Sequence, residues 1–274
     1  MPAPVRTSRR RTYLLCPPDH FVVEYSINPW MDTSAPVDTG LAGKQWSVLR
    51  DALVELGHEV HLLEPVPGLP DMVFAANGAF SVGGVVYGAS FKYPQRAAEA
   101  AAHEAFYRTT PGWRYVPATE INEGEGDFAY LPGTGLALAG YGFRTHTTAH
   151  AQAQEALGCP VVSLRLTDPR FYHLDTALAP LDDHNVAYYP QAFSPGSRRV
   201  LAALFPDAVR ADTADAYAFG LNLVSDGRHV LLPAEAAGMV DKLERAGYLP
   251  VPVDLGELKK AGGAVKCCVA ELRR

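Results

Sequence analysis

Apolar positions along the chain recur in two alternating rhythms. Apolar side chains three and four residues apart mark helices over residues 41–57, 94–109, 147–157, 197–204 and 234–247. Each helix is followed by a short strand-like run, at 59–63, 114–117, 160–166, 208–211 and 249–253. Before the next helix come two further β-like segments around a turn. Segments 72–80 and 85–90 flank Val82-Gly83-Gly84, and segments 127–131 and 136–140 flank Pro132-Gly133-Thr134-Gly135. Segments 173–179 and 185–189 flank Leu181-Asp182-Asp183-His184, a turn whose charges read as solvated. Segments 221–224 and 229–232 flank Ser225-Asp226-Gly227. The last hairpin has one strand left, 265–272, and segment 12–16 at the other end of the chain can supply its partner.

The repeating unit is therefore strand–strand–helix–strand, recurring five times at roughly 45–55 residues without sequence identity between copies. No linker or low-complexity stretch divides it. Five such units around an axis, closed by pairing of the N- and C-terminal strands, predict one domain over residues 1–274. The expected fold is α/β, a propeller with five-fold pseudosymmetry. A Rossmann fold is excluded, because no Gly-x-Gly-x-x-Gly follows the first strand.

Composition narrows the function. Of 274 residues, 48% are hydrophobic and 20% charged, so a large core forms and global disorder is excluded. Acidic residues exceed basic ones, 30 against 24, for a net charge of −6. That balance argues against a general nucleic-acid binder and mildly favours cationic ligands. No apolar run approaches the roughly 18 residues of a membrane span. Ser8-Arg9-Arg10-Arg11-Thr12-Tyr13 faintly resembles a twin-arginine signal, but no hydrophobic region follows, so it reads as a basic tail before the first strand. Four cysteines form neither a disulfide framework nor zinc-site spacing. A cytoplasmic protein is expected.

Candidate chemistry gathers at the hairpin starts. Cys267-Cys268 follows Gly262-Gly263, which permits close approach of a ligand. On a strand only one of the two thiols faces a given site, and a thiolate there is a strong nucleophile. His173 and Asp175, two apart, would share a strand face, with Asp175 orienting the ring or binding a cation and His173 acting as acid and base. Glu123-Gly124-Glu125-Gly126-Asp127 would likewise put three carboxylates on one face. Such crowding calls for a cation, either a hard metal ion or a guanidinium fork. Asp71 and Asn77 bracket an apolar segment, and Asn222 opens the fourth hairpin. Arg144 could grip a carboxylate; Arg96, in a first helical turn, is the weaker candidate. Asn28 lies in a loop with Trp30 and Met31, large apolar residues that suggest a lid or pocket wall. In a five-fold ring these groups converge on the axis.

In that order along the chain, the residues resemble the guanidino-group-modifying enzymes of the pentein fold. The specific pieces are His173-Leu174-Asp175-Thr176 and Gly262-Gly263-Ala264-Val265-Lys266-Cys267. The resemblance runs from Asn28 to Cys267. It implies Cys267 as nucleophile, His173 as acid and base, and Glu123 as the acid that holds the guanidinium. The extra residue in the acidic stretch leaves Glu125 as the alternative to Glu123. It further implies Asp71, Asn77, Asp175, Asn28 and Asp127 as substrate contacts, with Arg144 and Arg96 on the substrate's α-carboxylate. The carboxylate cluster then needs no metal, and the resemblance implies no cofactor. The partner implied is a small cationic guanidino compound, methylarginine or arginine, with neither nucleic acid nor membrane; a homodimer is left open. Dimethylarginine hydrolysis through a covalent cysteine intermediate is the leading expectation. Arginine dihydrolase or deiminase, amidinotransferase and a non-catalytic binding role are the alternatives.

Overall fold

A computed structural model describes residues 5–274. The first sheet contains β1 (Thr12–Leu15) and β2 (Glu59–Leu62), joined through helix α1 (Thr39–Glu55). The second contains β3 (Ala79–Val82), β4 (Val85–Gly88) and β5 (Arg114–Val116), with α2 (Pro94–Ala97) and α3 (Glu99–Thr109) before β5. The third contains β6 (Phe128–Leu131), β7 (Leu136–Tyr141) and β8 (Val161–Arg165), with α4 (Thr147–Leu157) before β8. The fourth contains β9 (Leu178–Pro180), β10 (Val186–Tyr188) and β11 (Val209–Arg210), with α5 (Pro195–Leu204) before β11. After α6 (Thr213–Tyr217) come β12 (Val224–Ser225), β13 (His229–Pro233), α7 (Ala237–Arg245) and β14 (Leu249–Val253). These three strands form the fifth sheet; α8 (Gly256–Lys259) leads on to β15 (Ala270–Glu271), which returns to the first.

One pairing rule runs through all five sheets. The hairpin strands pair antiparallel, and the strand after the helix joins in parallel, as a helical crossover permits. The ring closes as the sequence pattern requires. β1 pairs antiparallel with β15, placing Tyr13 opposite Glu271 and Leu14 opposite Ala270.

Helix boundaries follow their caps. The Asp38 side chain accepts from Leu41 N, and Ser194 accepts from Ser197 N with Pro195 in the first turn. Both helices therefore begin two residues earlier than the apolar spacing alone indicates. The 94–109 stretch is two helices, separated at Ala98. The short helices α6 and α8 show too little periodicity to register in the sequence. Each helix buries one face: Trp46, Leu49 and Leu53 of α1 pack with Val253, Leu255 and Leu258, and Leu201 of α5 packs with Tyr188 and Phe193.

The hairpin starts differ from expectation. Pro70–Val73, Ala75–Gly78, Gly124–Gly126 and Leu174–Thr176 are 3₁₀ turns, and residues 265–268 form a turn rather than part of a strand. The reason is backbone accounting. These segments converge where there is no neighbouring strand for them, so their buried peptide groups bond within the segment. Phe74 N donates to Asp71 O, Asp127 N to Gly124 O, and Ala177 N to Leu174 O. The expected same-face sets are consequently split. Glu123, Glu125 and Asp127 make separate contacts.

Gly124 fixes one of these turns. Its φ is +49°, and a Cβ there would stand 2.6 Å from both Ala79 N and Ala79 O, which cannot yield. Gly124→Ala should destabilise the protein by about 1–3 kcal/mol from backbone strain alone. A fall of several degrees in melting temperature is expected; an unchanged value would contradict this account of the turn.

Candidate active site

The axial turns deliver a set of buried polar side chains to one place. Cys267 lies on the turn after Gly262, whose φ is +84° and whose missing Cβ makes room for the Asn28 amide. The Cys267 sulfur is 3.1 Å from Asp175 Oδ2 and 3.1 Å from Asn222 Nδ2. Burial pushes the Cys267 thiol well up, and the neighbouring Asp175 carboxylate adds to the shift. Both effects favour the neutral thiol over the thiolate. Cys268 is also buried and raised, first by burial; it packs among apolar residues beside Val269 and Val265.

Asp175 is the least compensated acid of the set. Its Oδ1 is buried without a hydrogen-bond partner among the described residues. Burial raises its pKa above the usual carboxylate range, against the pull of His173 and Lys266. Asp71 shows the same imbalance. Tyr25 donates its hydroxyl to Asp71 Oδ2 at 2.9 Å, and Arg96 Nε lies 3.8 Å away, but Oδ1 has no partner. Its pKa too is raised by burial, against Arg96 and Tyr25.

Glu123 is paired differently from expectation. One of its oxygens, Oε2, receives both Arg144 Nη1 at 2.6 Å and His173 Nε2 at 2.7 Å. Burial acts to raise its pKa, but Arg144, His173 and Arg96 outweigh it and hold the carboxyl well below the usual range. Glu123 is thus occupied within the protein, and among the described residues the buried carboxylate oxygens without a partner belong to Asp71, Asp127 and Asp175. His173 keeps Nδ1 unpartnered. The Arg144 guanidinium lies between the Tyr93 and Tyr172 rings, 4.7 Å from each centroid, and donates to Ile27 O.

The remaining candidates divide clearly. Glu125 points away from Glu123, into an ion-pair network with Lys266 and Arg273 that also accepts from Glu271 N. Asp127 Oδ1 accepts from Leu174 N, steadying the His173–Asp175 turn, and burial pushes its pKa up to about 6. Arg96 is buried with its fork on Glu99 and also holds Asn77 Oδ1 and Asp71 O, so it supports the acid and amide from behind. Asn77 Nδ2 is unpartnered. Asn28 is tied to Ala261 O and to Trp30 N, which joins the 25–31 loop to the approach of the cysteine turn. Among the described residues no cluster of His, Cys, Asp and Glu has metal-binding geometry.

Several participants carry weak sequence signals. Tyr25, Tyr93 and Tyr172 are isolated aromatics, and Glu99 sits in a helix pattern that reads as amphipathic. Asn222 is legible only as a polar group opening the fourth hairpin. Its two contacts to Cys267 depend on the closing of the ring.

No protein-family model matches the chain. The dimethylarginine dimethylaminohydrolase of Mycobacterium tuberculosis is 52% identical over 267 residues, 97% of this chain and 87% of that protein. The bifunctional arginine dihydrolase/ornithine cyclodeaminase ArgZ of Synechocystis is 36% identical over 258 residues, 93% of this chain but 36% of that longer protein. The N-terminal domain of ArgZ, solved covalently bound to a reaction intermediate, superposes with a TM-score of 0.91 at 33% identity, over 95% of this chain and 97% of that domain. With relatives of this identity aligned along almost its whole length, and with five three-stranded sheets in the pentein arrangement, the chain belongs to the dimethylarginine dimethylaminohydrolase family.

Proposed function

We propose that the protein hydrolyses the guanidinium C–N bond of Nω-methylated arginine, giving citrulline and dimethylamine from asymmetric dimethylarginine. The observation that carries this reading is the Cys267 thiol 3.1 Å from an acid, Asp175, that keeps a second oxygen buried and unpartnered. A thiol beside an uncompensated carboxylate is a poor nucleophile until a cation arrives. A guanidinium supplies that cation and the electrophilic carbon together. The 52% identical relative supports dimethylarginine as the substrate.

The chemistry follows from the groups present. Asp71 and Asp175 hold the guanidinium and place its central carbon at the sulfur. The added positive charge lowers the thiol's pKa, its proton passes to His173 Nδ1, and the thiolate adds to that carbon. His173 gives a proton from Nδ1 to the departing dimethylamine as the C–N bond breaks, leaving a thiouronium on Cys267. The same nitrogen then takes a proton from water, whose oxygen adds to the carbon; the C–S bond breaks and citrulline leaves. Glu123 holds His173 by Nε2, so the ring presents Nδ1 to the reaction. Arg144 lies beside this set and is our candidate for the substrate's α-carboxylate. All these side chains are buried, so substrate entry requires part of the surrounding chain to move aside. Four free, buried cysteines and a thiol nucleophile suit a reducing compartment, and we place the protein in the cytoplasm.

A second reading has its own support. ArgZ is an arginine dihydrolase, and its N-terminal domain shares this architecture. Free arginine is therefore the competing substrate. Product analysis by mass spectrometry decides between them: citrulline and dimethylamine from dimethylarginine bear out the main reading, whereas ornithine and ammonia from arginine would replace it.

Cys267→Ser and His173→Ala should each abolish turnover, while Cys268→Ser should retain most of it. Loss in Cys268→Ser alone would put the nucleophile one residue further on, and near-normal activity in His173→Ala would remove its acid/base role.

The raised pKa values of Asp71 and Asp175 set the acid limb. Each holds a cation only above its own pKa, which lies above the ordinary carboxylate value of about 4. The pH profile of kcat/KM should therefore fall on the acid side while still above that value. A profile flat down to pH of about 4 would contradict it.

A further inference from the structure

We infer that Asn222 is a thiolate-stabilising donor of the site, a role resting on Cys267 being the nucleophile of the proposed reaction. Asn222 is fully buried and meets the cysteine twice. Its Oδ1 accepts from Cys267 N at 3.2 Å, and its Nδ2 donates to the Cys267 sulfur at 3.1 Å. Nδ2 also donates to the Asp175 carbonyl at 3.2 Å, while the Asn222 carbonyl accepts from Lys266 N at 3.3 Å. The orientation of the amide is fixed by these partners. Rotated by half a turn, it would set its NH₂ against the Cys267 N–H and its oxygen against the Asp175 carbonyl.

The backbone before Asn222 carries the mark of a constrained site. Phe219 has φ +60°, the one non-glycine residue with positive φ among those described. Such a conformation is strained for a residue with a side chain and persists where the surroundings impose it. Phe219 O accepts from Asn222 N, and the Phe219 ring packs 4.8 Å from that of Trp30 on the 25–31 loop. The strained turn thus sets the height at which the Asn222 amide reaches the sulfur.

The two sulfur contacts act in opposite directions. The thiol proton can rest on Asp175 Oδ2, so that contact favours the neutral thiol. The contact from Asn222 Nδ2 strengthens when the sulfur becomes negative, because a hydrogen bond to an ion is about twice as strong as one between neutral groups. Among the described residues it is the side-chain donor bonded to the sulfur. Asparagine fits the place because its donor carries no charge to be buried, whereas a lysine or arginine would pair with Asp175 and compete with a cationic substrate.

The test uses the full-length protein and the probe iodoacetamide, with the adduct mapped to Cys267 by mass spectrometry across a pH series. Asn222→Leu removes the donor while keeping the same branched set of heavy atoms, and Asn222→Ala removes it with a smaller side chain. Both keep the backbone bond to Lys266 N. Expected is an apparent Cys267 pKa raised by a unit or more in either folded variant, hence alkylation at neutral pH slower by about tenfold. kcat/KM should fall by at least the same factor, mainly through kcat. A merely structural contact would leave the pH at which the thiol titrates unchanged. A pH profile that superposes on the parent protein would overturn the proposal, as would loss of the folded state in both variants, which would assign the contacts to stability. Alkylation needs no substrate, so a failure here is separable from a wrong choice of substrate.

Discussion

Removing a carboxylate from water costs several kcal/mol unless a cation or a set of donors meets it. The centre of this protein buries six, and their partners organise everything around them. Glu99 takes the fork of Arg96, Glu123 takes Arg144 and His173, and Glu125 takes Lys266 and Arg273. Asp127 accepts a backbone N–H from the His173 turn. Asp71 is half met, by a tyrosine hydroxyl, and Asp175 is met on one oxygen by a thiol. The paired acids tie the acidic turn to the His173 turn and to the C-terminal segment. Asp71, Asp127 and Asp175 each keep one buried oxygen without a partner among the described residues.

This division explains why the acids nearest in sequence do different work. Glu123 and Glu125 are separated by one glycine, yet the 3₁₀ turn sends one toward His173 and the other toward the C-terminal strand. Glu125 anchors Lys266, Arg273 and Glu271 N, and so secures the ring closure and the cysteine turn at once. Glu123 fixes the imidazole, so that Nδ1 rather than Nε2 is left for proton transfer. The burial that makes Asp71 and Asp175 costly also makes them selective, since a cation of the right shape recovers most of that cost on binding.

The architecture was legible because it is written in periodicity. Five helix patterns, five strand runs and the unpaired segment 265–272 together specify the ring and its closure. The convergence of Asp71, His173, Asp175 and Cys267 followed from that ring. What periodicity does not carry is the geometry of the turns. Strand alternation places His173 with Asp175, and Glu123 with Glu125 and Asp127, on common faces; 3₁₀ turns replace those strands and send Glu123 and Glu125 to different partners, while His173 and Asp175 stay in one site. The pairing of Glu123 with Arg144, and the grip of Asn222 on Cys267, join residues 21 and 45 positions apart. Such contacts exist only once the ring is closed, and no local pattern announces them.

The central claim is that the nucleophile is a neutral thiol that the substrate's own charge ionises. The most direct test is to titrate Cys267, through the ultraviolet absorbance of its thiolate, with and without an alkylguanidine that is not turned over. A Cys267→Ser control removes the signal of the other cysteines. The account predicts a thiol that stays protonated at neutral pH by itself and whose pKa falls when the guanidinium binds. A thiolate already formed at neutral pH without ligand, or a pKa unchanged by the cation, would contradict it.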